Sequence, residues 1–167
     1  MTGFRCEMLA KHHDRTEFRC GVAALDNWLA RTARQDHERS AATVYVFVPT
    51  DQPQRIAGFY TLSSAAIALS EFPADYTRKL PKYQLIPATL LGRLARDLDF
   101  PGLGRLLLAD ALQRAWTQSS VIASIAIVVD AKDRAAFDFY RRHQFQPLQQ
   151  TPSRLFLPLS IVPRIRT

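Results

Sequence analysis

The stretch VIASIAIVVD, residues 121–130, is apolar at nearly every position and closes on an aspartate. A strand with one face in water alternates polar and apolar residues, so a run that does not alternate must be covered on both faces. That is the condition of a central strand sandwiched between helices, and the flanking sequence supplies the helices. Upstream, Leu103, Leu106, Leu107, Ala111, Leu112 and Ala115 recur at helical spacing and form one apolar face. Downstream, AKDRAAFDFYRRH (131–143) reads as a shorter helix packing through Ala135 and Phe139. With ATLLGRLARDL (88–98) as the preceding strand, this half of the chain contains a strand–helix–strand crossover, expected to be right-handed.

The first half follows a different pattern. CGVAALDNWLARTARQDHERS (20–40) reads as one helix, with Asp26 available as a cap and Leu25, Trp28, Leu29 and Ala33 as an apolar stripe. ATVYVFVPT (42–50) and RIAGFYTLSS (55–64) are rich in β-branched and aromatic residues and are separated by DQPQ, which predicts an antiparallel hairpin. The proline-dotted SEFPADYTRKLPKYQLIP (70–87) is expected to be an irregular surface segment. PSRLFLPLS (152–160) returns as a last strand, and its prolines put it at an edge or bulge. The expected class is α/β with a mixed sheet.

At 167 residues a single domain is the default. No apolar run is long enough to cross a bilayer, and MTGFRCEMLAKHHDR lacks the apolar core of a secretion signal, so a cytoplasmic location without membrane contact is expected. Cys6 and Cys20 then read as thiols rather than a disulfide. His12, His13, His37 and His143 show no metal-ligand spacing with cysteines or carboxylates, and no metal is expected. The net charge of +7 favours polyanionic partners.

Two local features carry chemistry. DFPGLGRLLLADAL (99–112) is a glycine turn entering a helix, where Leu103, Gly104 and Arg105 could turn backbone N–H groups toward a phosphate. It is neither a Walker loop nor a full dinucleotide fingerprint, and Asp99 and Pro101 weaken it as an anion cradle. Tyr140, late in the helix after the buried strand, is either a core tyrosine or a general acid.

The order hairpin, strand, glycine turn, helix, buried strand and Phe-Tyr helix resembles the GNAT family of N-acetyltransferases. It most resembles the toxin branch, which works in bacterial toxin–antitoxin pairs. The resemblance rests on FRCGVAALDNWLARTARQ (18–35), IAGFYTLSS (56–64), LPKYQLIPATLLGRLARD (80–97), GLGRLLLADALQRA (102–115), VVDAKDRAAFDFYRRHQF (128–145) and RLFLPL (154–159). It implies one acyl-CoA N-acyltransferase domain over residues 1–167, with a central mixed sheet flanked by helices. The implied co-substrate is acetyl-CoA. In the toxin branch the acceptor is the α-amino group of an aminoacyl-tRNA, whose acetylation blocks translation.

The resemblance further implies that the pantetheine arm lies along Leu94, Ala95 and Arg96 and the pyrophosphate on Gly102, Leu103, Gly104 and Arg105. Asp130 falls on the cofactor side, and Tyr140 matches the tyrosine that lines the cofactor and protonates the departing thiolate. A homodimer and a ribbon-helix-helix antitoxin are implied as partners. The basic residues Lys11, Arg15, Arg19, Arg31, Arg34 and Arg39, with Arg78, Lys79, Lys82, Arg141 and Arg142, become candidates for tRNA phosphate contact, Arg31, Arg34 and the latter five foremost.

The chain departs from the family where Asp99, Phe100 and Pro101 replace the usual residues before the glycines, in a loop that is also shorter. Gln144 stands where a glycine usually ends the last helix, which implies a different cap or strain. Arg96 replaces a small apolar residue and could return positive charge to the cofactor. The same fold would also serve an acetyltransferase of a small-molecule or protein amine, or a binding protein without catalysis.

Overall fold

Burial of the β-branched and aromatic runs sets the strands, and the computed structural model describes residues 3–164. In chain order the elements are β1 (Phe4–Met8), α1 (Ala23–Arg31), α2 (Ala33–Glu38), β2 (Thr43–Pro49), β3 (Gly58–Ala68), α3 (Ala74–Thr77), β4 (Leu85–Arg96), α4 (Leu103–Gln118), β5 (Ala126–Asp130), α5 (Arg134–Arg142), β6 (Gln146–Pro147) and β7 (Arg154–Pro158). The strands form a seven-stranded mixed sheet in the order β1-β2-β3-β4-β5-β7-β6. The chain divides into two compact units, one of residues up to Ser63 with Gly92–Ala111 and one of Ser64–Leu91 with residues from Leu112 onward.

In the first unit β1 pairs antiparallel with β2, and β2 with β3, from Thr43 opposite Leu62 to Phe47 opposite Gly58. Val44, Val46, Val48 and Phe59 turn into a core closed by Leu29 and Ala33. Trp28 stacks on Phe59 with ring centroids 5.9 Å apart. At Gly58 an added Cβ would stand 2.8 Å from Leu107 and 3.1 Å from Leu103, so glycine lets α4 approach β3 closely.

The expected single helix over 20–40 is broken at Thr32 (φ −120°, ψ −30°). Arg15 Nη1 donates to the Ala30 carbonyl at 2.7 Å, occupying an acceptor that a continuing helix would use. Asp26 is not the cap. It lies in the first turn of α1, and its carboxylate accepts from the Cys20 N–H at 2.9 Å, tying the preceding loop to the helix.

In the second unit β4 and β5 run parallel, Thr89 to Leu91 against Ile127 to Val129, as a crossover connection requires. β7 pairs antiparallel with β5 on one side and with β6 on the other. The two-residue β6, not the proline-flanked β7, is therefore the outer strand. β5 begins only at Ala126; Val121 and Ile122 lie in the preceding loop, 76% and 77% exposed. On α4, Leu106 is exposed and Leu108 is buried, so the apolar face is rotated from the one read in the sequence. On α5, Ala135 is exposed and packing falls to Phe139 and Tyr140. Segment 70–87 is not wholly surface, because Phe72 and Ile86 are buried with Phe156 in this unit's core.

The end of α5 carries the strain implied by Gln144. The Phe145 N–H reaches the Tyr140 carbonyl (3.1 Å) and the Gln144 N–H the Arg141 carbonyl (3.2 Å), while the Tyr140 and Phe145 rings meet at 5.3 Å. This is a complete Schellman motif. Its left-handed position, at φ 74°, is held by Gln144 instead of glycine. The left-handed penalty, less glycine's entropic cost, leaves a gain of about 0.5–1 kcal/mol for Gln144→Gly. A melting temperature higher by about 1–4 °C is expected in calorimetric scans.

Candidate active site

In the first unit the candidate residues gather at the junction of β4 and α4. Beyond Leu91, where its parallel ladder with β5 stops, β4 continues to Arg96, carrying half-buried Leu94, buried Ala95 and half-buried Arg96. Asp97 then anchors the turn. Its N–H donates to the Ala57 carbonyl at 2.8 Å, and its carboxylate, 4% exposed as a residue, accepts from the N–H groups of Arg19 (3.0 Å) and Asp99 (2.9 Å). The Phe100 N–H closes onto the Asp97 carbonyl at 3.0 Å. An aspartate that bonds the backbone two residues on is a turn-forming device, and here it fixes the chain entering the glycines.

Gly102 adopts φ +83°, and a Cβ there would meet nothing within 4 Å. Conformation, not space, demands glycine at this point. α4 opens at buried Leu103, which leaves Gly104 and Arg105 in the first turn. First-turn N–H groups have no intrahelical acceptor, and the helix dipole adds partial positive charge there. Arg96 stays at the turn, its Nη1 donating to the Asp97 carbonyl at 3.3 Å. Asp99 is held by Arg55, Nη2 to Oδ2 at 2.6 Å.

In the second unit the candidate is the buried tyrosine. Asp133 caps α5 by accepting from the Ala136 N–H at 2.8 Å, which fixes the helix that carries Tyr140. Tyr140 is 7% exposed and lies against Phe139 and Phe145. No group among the described residues hydrogen-bonds its hydroxyl, and burial pushes its pKa well above the ordinary phenol value of 10.0. The phenol therefore keeps its proton at physiological pH and can donate it to a developing anion. Asp130, at the end of β5, is engaged by Arg154 through two bonds of 2.8 and 3.0 Å, which raise the Arg154 pKa.

The basic candidates are distributed over both units. Arg31 ends α1 exposed, and Arg34 on α2 pairs with Glu38 at 2.9 Å. Arg15 and Arg19 donate to backbone carbonyls. In the second unit Arg78 pairs with Asp75 at 3.0 Å and Lys79 is exposed. Lys82 lines a cavity of about 540 Å³ with Phe72, Thr77, Tyr83, Gln84 and Gln149. Arg141 and Arg142 are exposed beside Tyr140, with Arg141 donating to the Phe145 carbonyl at 3.1 Å.

Among the described residues one trio, Glu7, His12 and His13, brings possible metal-ligand atoms within 4.8 Å of one another. His13 Nδ1 accepts the Ala10 N–H at 2.9 Å, which puts the ring proton on Nε2, where it donates to Glu7 at 2.6 Å. A protonated ring nitrogen has no lone pair for a metal, so His13 is a hydrogen-bonded bridge. The same bond lowers the Glu7 pKa below the usual carboxylate value.

Asp97 and Arg55 are the site residues that sequence reasoning missed. The Asp-Leu-Asp spacing after the strand was a signal for the former; the latter lies 44 residues from its partner Asp99 and gave none.

No protein-family model matches the chain. A solved structure of AtaT complexed with acetyl-methionyl-tRNAfMet matches with a TM-score of 0.90 at 26% identity, covering 97% of this chain and 98% of that one. A tyrosine-to-phenylalanine mutant of AtaT bound to the C-terminus of the antitoxin AtaR and acetyl-CoA matches with a TM-score of 0.80 at 25% identity, over 96% of each chain. The fold is thus that of the GNAT N-acetyltransferases. Two relatives narrow it: the "Probable toxin TacT" of Sinorhizobium fredii, 30% identical over 90% of this chain and 87% of its own, and the "tRNA-acetylating toxin" of Mycobacterium tuberculosis, 33% identical over 86% and 85%. The chain belongs to the GNAT-type toxins of toxin–antitoxin systems.

Proposed function

We propose that this chain transfers the acetyl group of acetyl-CoA to the α-amino group of an aminoacyl-tRNA and so blocks translation. The observation that carries this reading is the match, over nearly the whole chain, to a toxin held with acetyl-methionyl-tRNAfMet. In this reading residues 1–167 work as one transferase domain. The peptide groups of Leu94, Ala95 and Arg96 bind the pantetheine arm as an added strand would, and the backbone from Gly102 to Arg105 receives the pyrophosphate. The backbone at Asp130 borders the cofactor.

The neutral amine attacks the thioester carbonyl, with a β4 N–H stabilising the oxyanion. The carbon–sulfur bond breaks, the thiolate takes the Tyr140 proton, and the nitrogen releases its extra proton to water, from which Tyr140 is reprotonated. No acyl-enzyme forms. Arg31, Arg34, Arg78, Lys79, Lys82, Arg141 and Arg142 contribute phosphate contacts, and +7 net charge supports a polyanionic substrate. No described helix is long and apolar enough to cross a membrane, and the proposed substrate puts the protein in the cytoplasm. A homodimer and a ribbon-helix-helix antitoxin complete the proposal; the AtaT complex with the C-terminus of AtaR supports an antitoxin partner.

Cell-free translation should stop on adding the protein together with acetyl-CoA and continue with either alone. Acetylated aminoacyl-tRNA should accumulate, less at high salt. Acetylation confined to polyamines or peptides would overturn the assignment.

A further inference from the structure

The turn proposed to receive the pyrophosphate carries the carboxylate of Asp99, which is 72% exposed and which packing alone does not direct. A fixed negative charge there would repel the ligand. We propose that Arg55, from the connection between β2 and β3, is the positioning residue that keeps this turn fit for an anion, by neutralising Asp99 and holding its carboxylate; the inference rests on the acetyltransferase reading above.

Three contacts fix the Arg55 guanidinium. Its Nη2 meets Asp99 Oδ2 at 2.6 Å, the same nitrogen lies 3.9 Å from Asp97 Oδ1, and its carbon stands 4.8 Å from the centre of the Phe100 ring. Phe100 is itself braced edge-on by Phe4, with centroids 5.7 Å apart. The Arg55 backbone is pinned as well: its N–H donates to the Gln52 carbonyl at 3.0 Å, and it bridges to Asp14. A planar cation resting on one face and bonded at its edge is confined far more than a lysine would be.

Charge completes the argument. Arg55, Arg96 and Arg105 stand against Asp97 and Asp99, leaving one net positive charge around the turn; without Arg55 none remains. The compensating cation comes from 44 residues upstream, already paired with the Asp99 carboxylate.

The test is a double-mutant cycle read by calorimetry with acetyl-CoA. Arg55→Gln should weaken binding about fivefold, the size of one partly exposed charge interaction. Asp99→Asn should bind at least as tightly as the wild type, and Arg55→Gln combined with Asp99→Asn should return to within about twofold of it. Transfer from S-acetyl-pantetheine, which ends before the pyrophosphate, should be the same in Arg55→Gln and wild type. Wild-type affinity in Arg55→Gln, failure of Asp99→Asn to restore it, or an equal loss with the truncated donor would each overturn the inference. Should Arg55→Gln not fold, Asp99→Asn alone decides: with the carboxylate gone the affinity should match or exceed that of the wild type, and a loss of about fivefold would overturn the proposal. A wild-type protein that does not bind acetyl-CoA at millimolar concentration removes the acetyltransferase reading itself.

Discussion

Tyr140→Phe is expected to lower acetyl transfer about 10²–10⁴-fold while leaving acetyl-CoA affinity within about twofold of the wild type. The substitution removes one oxygen and keeps the ring that packs between Phe139 and Phe145. No group among the described residues bonds that oxygen, so no native partner is orphaned and the melting temperature should not fall. The loss therefore belongs to chemistry: a departing thiolate without a proton source. Burial holds the phenol above its ordinary pKa of 10.0, which makes a definite prediction for the pH profile. Because the folded pKa is raised, Tyr140 stays protonated as pH rises to 10, and kcat/KM should climb as the acceptor amine loses its proton. No descending limb should appear below pH 10. Undiminished turnover in Tyr140→Phe removes Tyr140 from the mechanism, and a matched loss of affinity and rate makes it a packing residue.

What could be read from the residues follows the range of the interactions. The hairpin of β2 and β3, the α4 crossover and the capped α5 are local patterns of period and punctuation, and each forms where the sequence puts it. Gln144 is the sharpest instance. A helix end that demands a left-handed residue was visible as a missing glycine, and the chain adopts that conformation regardless because the Tyr140–Phe145 contact and two carbonyl bonds hold it. Reading fails where a distant group decides. The break at Thr32 coincides with a bond from the distant Arg15, Val121 and Ile122 precede the start of the parallel ladder at Ile127, and the two-residue β6 rests on a pairing too short for any periodic signal. The glycine turn itself was legible, as a positive-φ Gly102 leading into α4, and Asp99 stood out beside it as a charge unsuited to an anion. Only the fold shows that charge to be paired with Arg55, because nothing in the sequence links a loop residue after β2 to a turn after β4.

Asp97→Ala is expected to be the most damaging single change at that turn, costing about 3 kcal/mol, from the desolvation penalty of two N–H groups left without an acceptor. For a chain of this size that corresponds to a melting temperature lower by about 10 °C. The Asp97 carboxylate is the common acceptor of the Arg19 and Asp99 N–H groups, so its loss releases the segment before α1 and the turn before α4 together. Acetyl-CoA affinity should fall more than in Arg55→Gln, because Asp97→Ala lets the peptide groups from Gly102 to Arg105 lose their fixed direction, which outweighs the positive charge gained at the turn. Asp97→Asn separates the two contributions. It keeps one oxygen for one N–H and presents an amide N–H₂ to the other, so its stability should fall between wild type and Asp97→Ala. Calorimetric melting and acetyl-CoA titration of the pair provide the check. A melting temperature for Asp97→Ala within about 2 °C of wild type would mean that water replaces the carboxylate freely and that the turn is held by the Leu98 and Phe100 backbone bonds alone.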